Sequence, residues 1–294
     1  MTPFLRVSVL AIVTAGAAST ALAQWPKYPQ PGVARTRDGK FDLSAAAPRT
    51  VDGKPDLSGV WETAPCAGCA PPVIDGLGGP PPPGQGRGNS AAPPPPPPGA
   101  FVFGDIGSQT AGGAPYQPWA AELVKKRMAD NSKDNPDAHC LPMGVMQLDS
   151  HPYPKKIIQT PAELILIYEG SGTTVREVFL DGRPLPGKDA EPWWNGYSIG
   201  RWEGDTLVVE TSGFMDDGWL DVRGSPFTSA GKLTERFRRP NYGSLEIVVT
   251  IDDPTAYTKP FTATVYNRLM PDSQLSEFVC VDKDASHYVG GSGK

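Results

Sequence analysis

The chain counts 294 residues, and 33 glycines with 34 prolines are too many for all of it to be packed core. A formal net charge of −5 without a basic stripe argues against nucleic acid as a partner. No apolar run reaches the roughly 20 residues a bilayer-crossing helix needs, so no membrane span is expected.

Residues 1–23 read as a cleavable export signal. Arg6 supplies the positive start, Val7 to Ala17 the short apolar core, and Ala21-Leu22-Ala23 a small-x-small cleavage site before Gln24. The expected location is periplasmic or secreted, and removal of Arg6 leaves the mature chain one unit more negative. Residues 24–64 hold a short repeat: Arg35-Thr36-Arg37-Asp38-Gly39-Lys40-Phe41-Asp42-Leu43-Ser44 returns as Arg49-Thr50-Val51-Asp52-Gly53-Lys54-Pro55-Asp56-Leu57-Ser58. Two copies are too few for a solenoid and read as surface straps leading into a strand at Leu57–Glu62. Residues 65–117 collapse into Pro, Gly and Ala, with six prolines in a row from Pro93 to Pro98; a disordered polyproline arm is expected.

In an exported chain the four cysteines, Cys66, Cys69, Cys140 and Cys280, read as two disulfides with three possible pairings. Cys66-x-x-Cys69 is also the spacing of half a zinc site or of a redox motif. No second ligand pair follows it, and prolines surround it where a redox motif would open a helix. A local Cys66–Cys69 bridge is the simplest choice, leaving Cys140 for Cys280.

Residues 118–283 form the predicted folded unit, and 284–294 a tail. Pro118 to Met128 reads as one helix, with Trp119, Leu123 and Met128 as its apolar stripe. After Pro161 the period becomes two. Strands are predicted at Leu164–Glu169, Thr174–Leu180, Tyr197–Glu203, Thr206–Thr211, Leu233–Arg238, Leu245–Asp252, Phe261–Leu269 and Gln274–Asp282, separated by tight turns. The fold class is therefore mainly β: an antiparallel barrel of lipocalin or calycin type, or a sandwich, with about nine strands and one helix.

The chain carries no nucleophile elbow, phosphate loop or H-E-x-x-H, and its three histidines lack metal-ligand spacing, so neither metal nor cofactor is expected. Its informative residues are carboxylates in the apolar phase of strands: Glu177 between Val175 and Phe179, Glu235 between Leu233 and Phe237, and Glu277 between Leu275 and Val279. Each is either ion-paired with a nearby arginine or lines a polar pocket. Glu235, Glu277 and Tyr197 are the candidate catalytic residues. Arg176, Arg236, Trp202, Trp194 and Tyr168 are candidates for holding a small aromatic or hydrophobic ligand.

The segments Asp52-Gly53-Lys54-Pro55-Asp56-Leu57-Ser58-Gly59-Val60-Trp61, Gly200-Arg201-Trp202-Glu203-Gly204-Asp205-Thr206-Leu207-Val208-Val209, Thr234-Glu235-Arg236-Phe237 and Asp252-Asp253-Pro254 resemble a large family of exported bacterial proteins, most without an assigned function. The resemblance runs from about residue 35 to Cys280 outside the proline-rich stretch. It implies export and matches Cys140 and Cys280 to family positions, but it supplies no mechanism. Where relatives carry histidines, this chain has Leu185, Tyr197 and Phe227, which puts any histidine chemistry in doubt here. Gly59-Val60-Trp61 also resembles the G-x-W start of lipocalin-type barrels. Phenolic acid decarboxylases offer a fold-level analogy: Glu, Arg and Tyr working in such a barrel without a cofactor. The expected function is a cofactor-independent lyase, decarboxylase or isomerase for a small aromatic molecule. The alternatives are a carrier of a hydrophobic ligand and an envelope scaffold acting through the polyproline arm.

Overall fold

A computed structural model describes residues 32–64, 102–170, 174–187 and 189–280. Residues 1–23, read above as an export signal, together with Cys66, Cys69 and the polyproline run, lie outside the described residues.

Nine strands close into a barrel. They are β1 (Gly59–Ala64), β2 (Lys155–Gln159), β3 (Glu163–Tyr168), β4 (Val175–Phe179), β5 (Tyr197–Glu203), β6 (Thr206–Ser212), β9 (Lys232–Asn241), β10 (Ser244–Asp252) and β11 (Phe261–Leu269). Two short strands, β7 (Gly218–Trp219) and β8 (Pro226–Phe227), pair separately. The ring closes because β1 pairs on one side with β11, Trp61 opposite Leu269, and on the other with β2, Trp61 opposite Lys155. A barrel, and not a sandwich, is therefore the outcome of the period-two pattern. All neighbours are antiparallel except β4 and β5, where Val178 sits beside Ser198 and Phe179 beside Ile199. The sheet is therefore mixed.

Alternation decides what fills the ring. Inward phases supply Leu164 and Leu166, Leu207 and Val209, Leu245, Ile247 and Val249, and Val265, all buried. Outward phases carry cross-strand ion pairs: Arg201 bonds Glu210 and Glu203, and Arg236 bonds Glu203 at 3.0 Å. One end of the barrel is sealed around Trp61, whose indole N–H donates to the Leu57 carbonyl at 3.0 Å while the Arg239 guanidinium lies 4.8 Å from its ring.

Among the described residues the α-helices are α1 (Pro118–Ala129) and α2 (Val145–Ser150). In α1 the buried positions are Ala120 and Val124, whereas Trp119 and Met128 are exposed. The predicted stripe is therefore displaced: small residues let the helix lie close, and Trp119 is used at its rim, its N–H bonding the Thr255 carbonyl at 2.8 Å. Every residue of α2 is buried.

Three further expectations are corrected. The stretch predicted as a disordered arm to residue 117 is packed from 102 onward: Val102 and Ile106 are in the core, and Gln109 exchanges two 2.7 Å bonds with the backbone of Thr264 on β11. β2 lies in a segment where no strand was predicted. Gln274 to Cys280 is irregular, not a strand, because β1 already occupies the edge of β11. The Cys140–Cys280 disulfide is present, with Cα atoms 5.6 Å apart.

Candidate functional site

Opposite the Trp61 end, the barrel interior turns polar. Tyr168 ends β3, Arg176 is second in β4, Ser198 is second in β5, Thr211 is next to last in β6, and Glu235 lies in β9, all pointing inward. Lys155 starts β2 directly across from Tyr168. Helix α2 lies over this end and brings Asp149. None of these side chains is more than about 3 % exposed, and Glu235 and Asp149 are 0 % exposed.

The groups form one network. Arg176 grips Glu235 through both terminal nitrogens, with Nη1 to Oε1 at 2.9 Å and Nη2 on Oε2. Its Nη2 also donates to Thr211 Oγ1 at 2.9 Å and its Nε to Ser198 Oγ at 3.2 Å. The Asp149 carboxylate accepts from the Tyr168 hydroxyl at 2.8 Å on Oδ1 and lies 3.7 Å from Arg176 through Oδ2. Lys155 Nζ donates to the Asp149 carbonyl at 2.6 Å, placing a cation at the C-terminal end of α2, where the helix dipole favours it. Thr63 of β1 holds the following turn by donating to the His151 carbonyl at 2.8 Å.

Two carboxyls, a phenol and two cations are thus shut in together, and burial acts strongly on Glu235, Lys155 and Tyr168. Desolvation raises Glu235 to about 7, against the pull of Arg176, and the neighbouring Asp149 carboxylate adds to the rise. Burial lowers Lys155 to about 8, with Asp149 and Glu235 holding it up from below that. Burial and the Asp149 charge push the Tyr168 phenol well above its ordinary range. For Arg176 desolvation works downward, but Glu235 outweighs it and the guanidinium stays charged. Asp149 Oδ2 has no hydrogen-bond partner in the ionised network; a proton on Glu235 has its acceptor there. Gln147 on α2 is fully buried with both amide atoms unpartnered. Such an arrangement stores a proton near neutrality beside a fixed cation and a phenol, the components of acid–base chemistry.

Of the residues singled out from sequence, Glu235, Arg176 and Tyr168 meet here. The others do not. Glu177 is exposed on the outer face of β4, because β4 turns Arg176 and Val178 inward. Glu277 is exposed in the irregular C-terminal segment. Arg236 is on the outer face, paired with Glu203. Tyr197 also faces outward, its ring 5.2 Å from both Phe179 and Trp193 and its hydroxyl accepting from Arg183 at 3.1 Å. The Trp194 N–H bonds the Pro142 carbonyl at 2.6 Å, and Trp202 lies at the other end of the barrel. Asp149 and Lys155 escaped the sequence reading. A six-residue helix gives little periodicity, and a lysine is rarely expected fully inside. The one available signal for Lys155 was its phase with Ile157.

Around the capped end, aromatic rings and the C-terminal segment complete the enclosure. His151 packs against Phe103 and Tyr153 at 4.9 and 4.7 Å, and Phe278 follows at 5.9 Å from Tyr153. The Ser276 N–H donates to Glu169 Oε2 at 2.8 Å, and the disulfide fixes the segment's end. Among the described residues no group of three or more His, Cys, Asp or Glu side chains could hold a metal ion, and no helix is long and apolar enough to cross a membrane. Comparison with family models, with curated proteins and with solved structures finds no match.

Proposed function

We propose that the chain is an exported, cofactor-independent acid–base enzyme of the lyase, decarboxylase or isomerase type, acting on a small aromatic acid at the α2-capped end of the barrel. The supporting observation is Glu235: a wholly enclosed carboxyl, raised to about 7, gripped by Arg176 and facing a second buried carboxylate. Buried charges of this kind cost stability that apolar side chains of similar volume would not. Perturbed acids of this kind concentrate at functional sites.

In this reading α2 moves aside to admit substrate, and the substrate carboxylate takes Arg176 from Glu235. The released, protonated Glu235 gives its proton to the substrate carbon. In the decarboxylase case the C–C bond to the carboxyl group breaks, its electrons remain on that carbon as the new C–H bond forms, and CO2 leaves. Asp149 and Tyr168 hold the proton supply, and Lys155 anchors the cap.

The test is a panel of hydroxycinnamic and hydroxybenzoic acids in D2O, followed by proton NMR and CO2 release. Wild type should exchange a carbon-bound proton or release CO2 with at least one member, and Glu235→Gln should lose that activity at least a hundredfold while remaining folded. Turnover that survives in Glu235→Gln, or none across the panel, overturns the proposal.

A further inference from the structure

The two copies of the repeat fold alike. Each makes an isolated bridge, Arg35 with Phe41 and Arg49 with Pro55. Each closes its turn with the same bonds: Thr36 N–H to the Lys40 carbonyl at 2.8 Å and Thr50 N–H to the Lys54 carbonyl at 2.9 Å. In each, the arginine Nη1 donates to a glycine carbonyl at 2.7 Å, Gly39 in the first and Gly53 in the second. They differ in surroundings. The second copy is pinned to the barrel, Arg49 gripping the Asp205 carboxylate in the β5–β6 turn through two bonds of 2.9 and 2.7 Å.

Pinned there, the second copy walls a cleft of about 490 Å³ at the barrel end remote from Glu235, where β2 ends and β3 begins. This is the size range of small-molecule sites, roughly 300–1,000 Å³. The opposing walls come from Pro161, from Leu180 after β4, and from Gly200 and Trp202 of β5. Leu180 packs closely over Gly200, where a Cβ would stand 2.7 Å from Leu180 Cδ2.

Most of the polar side chains of this cleft are already used. Gln159 accepts from the Leu57 N–H and donates to the Pro55 carbonyl, Thr50 donates to Asp52 and to the Lys54 carbonyl, and Arg201 is divided between Glu203 and Glu210. Arg201, the one cation among the lining residues, is paired, Asp52 would repel an anion, and Lys54 Nζ stands 5.9 Å from the Trp202 ring centroid. What remains is apolar: the Trp202 indole, Leu180, Pro161, and Val51, which stands fully exposed at the rim. In the first copy, which lines no part of this cleft, the position of Val51 is held by Arg37. An apolar side chain has replaced a cation only where the turn faces the cleft.

We propose that this cleft is a second binding site, separate from the enclosed acid–base centre, for an uncharged, ring-containing apolar molecule laid on Trp202 and covered by Val51. The probe is N-phenyl-1-naphthylamine, a neutral dye that fluoresces in apolar surroundings, titrated into the full chain. Wild type should bind it saturably with one site. Val51→Arg, which copies the first repeat at a fully exposed position, should weaken binding at least fivefold with an unchanged melting temperature, and Trp202→Ala at least tenfold. Glu235→Gln should bind as wild type does. No saturable binding, undiminished affinity in Val51→Arg, or loss of binding in Glu235→Gln would each overturn the assignment. The last result would place the dye in the acid–base centre, and because none of these readouts needs turnover, the outcome is independent of the proposed activity.

Discussion

Glu235 takes up its proton at a higher pH in the folded chain than in the unfolded one, because burial penalises the carboxylate more than Arg176 rewards it. Between its ordinary value of 4.5 and about 7, the folded state holds a proton that the unfolded state has released. Stability from this group therefore falls as pH rises through that window, by roughly 3 kcal/mol if fully expressed. His151 works in the opposite direction. Burial and Lys155 lower it to about 3, so its contribution is lost as pH falls from 6.5 toward 3. The two partly cancel in wild type, and a variant is needed to separate them. Melting curves of Glu235→Gln against wild type should shift in favour of the variant from pH 5 to pH 8; parallel curves would mean that Glu235 is ionised throughout. Glu235 was legible from sequence because Leu233, Glu235 and Phe237 share a phase in the strand expected at Leu233–Arg238, and the structure buries that phase. Asp149, its partner, was not: its position depends on where α2 docks, which is a tertiary fact with no local pattern.

At the scale of the strand, β4 shows how one residue of phase exchanges two readings. The sequence Val175-Arg176-Glu177-Val178-Phe179 suggested that Val175, Glu177 and Phe179 share the inner face. The structure instead buries Arg176 and Val178, leaving Val175 exposed and Phe179 to stack outside on Tyr197. Apolar residues in both phases, Val175 and Phe179 in one and Val178 in the other, make the alternation ambiguous, and pairing with β3 resolves it: Arg176 stands opposite Leu166. Arg176→Met, which keeps an unbranched apolar stem and removes the charge, should therefore cost about 3–5 kcal/mol in urea unfolding, since it strands Glu235 and Asp149. Glu177→Ala on the same strand should leave the midpoint where it is. Equal losses from both would mean that β4 is in the other register. The ends of the chain were harder to read for a related reason. Gln274 to Cys280 alternates like a strand, yet β11 has no free edge to offer it once β1 is in place.

For the whole molecule, the Cys140–Cys280 bridge spans a separation of 140 residues and holds the C-terminal segment against the capped end. In the chain-entropy account such a closure is worth about 5 kcal/mol at most. Replacing both cysteines by serine should lower urea stability by several kcal/mol and leave the barrel's circular dichroism spectrum unchanged. A loss of the spectrum would mean that the bridge is needed to form the barrel itself. The pairing of β1 with β11 bears on how this protein comes into being. A ribosome or a secretion channel delivers β1 among the first pieces and β11 among the last, so throughout delivery the growing sheet is an open ribbon with two bare edges. Neither edge can be covered by anything local, since Trp61 waits for Leu269. The barrel therefore cannot close until β11 has been delivered.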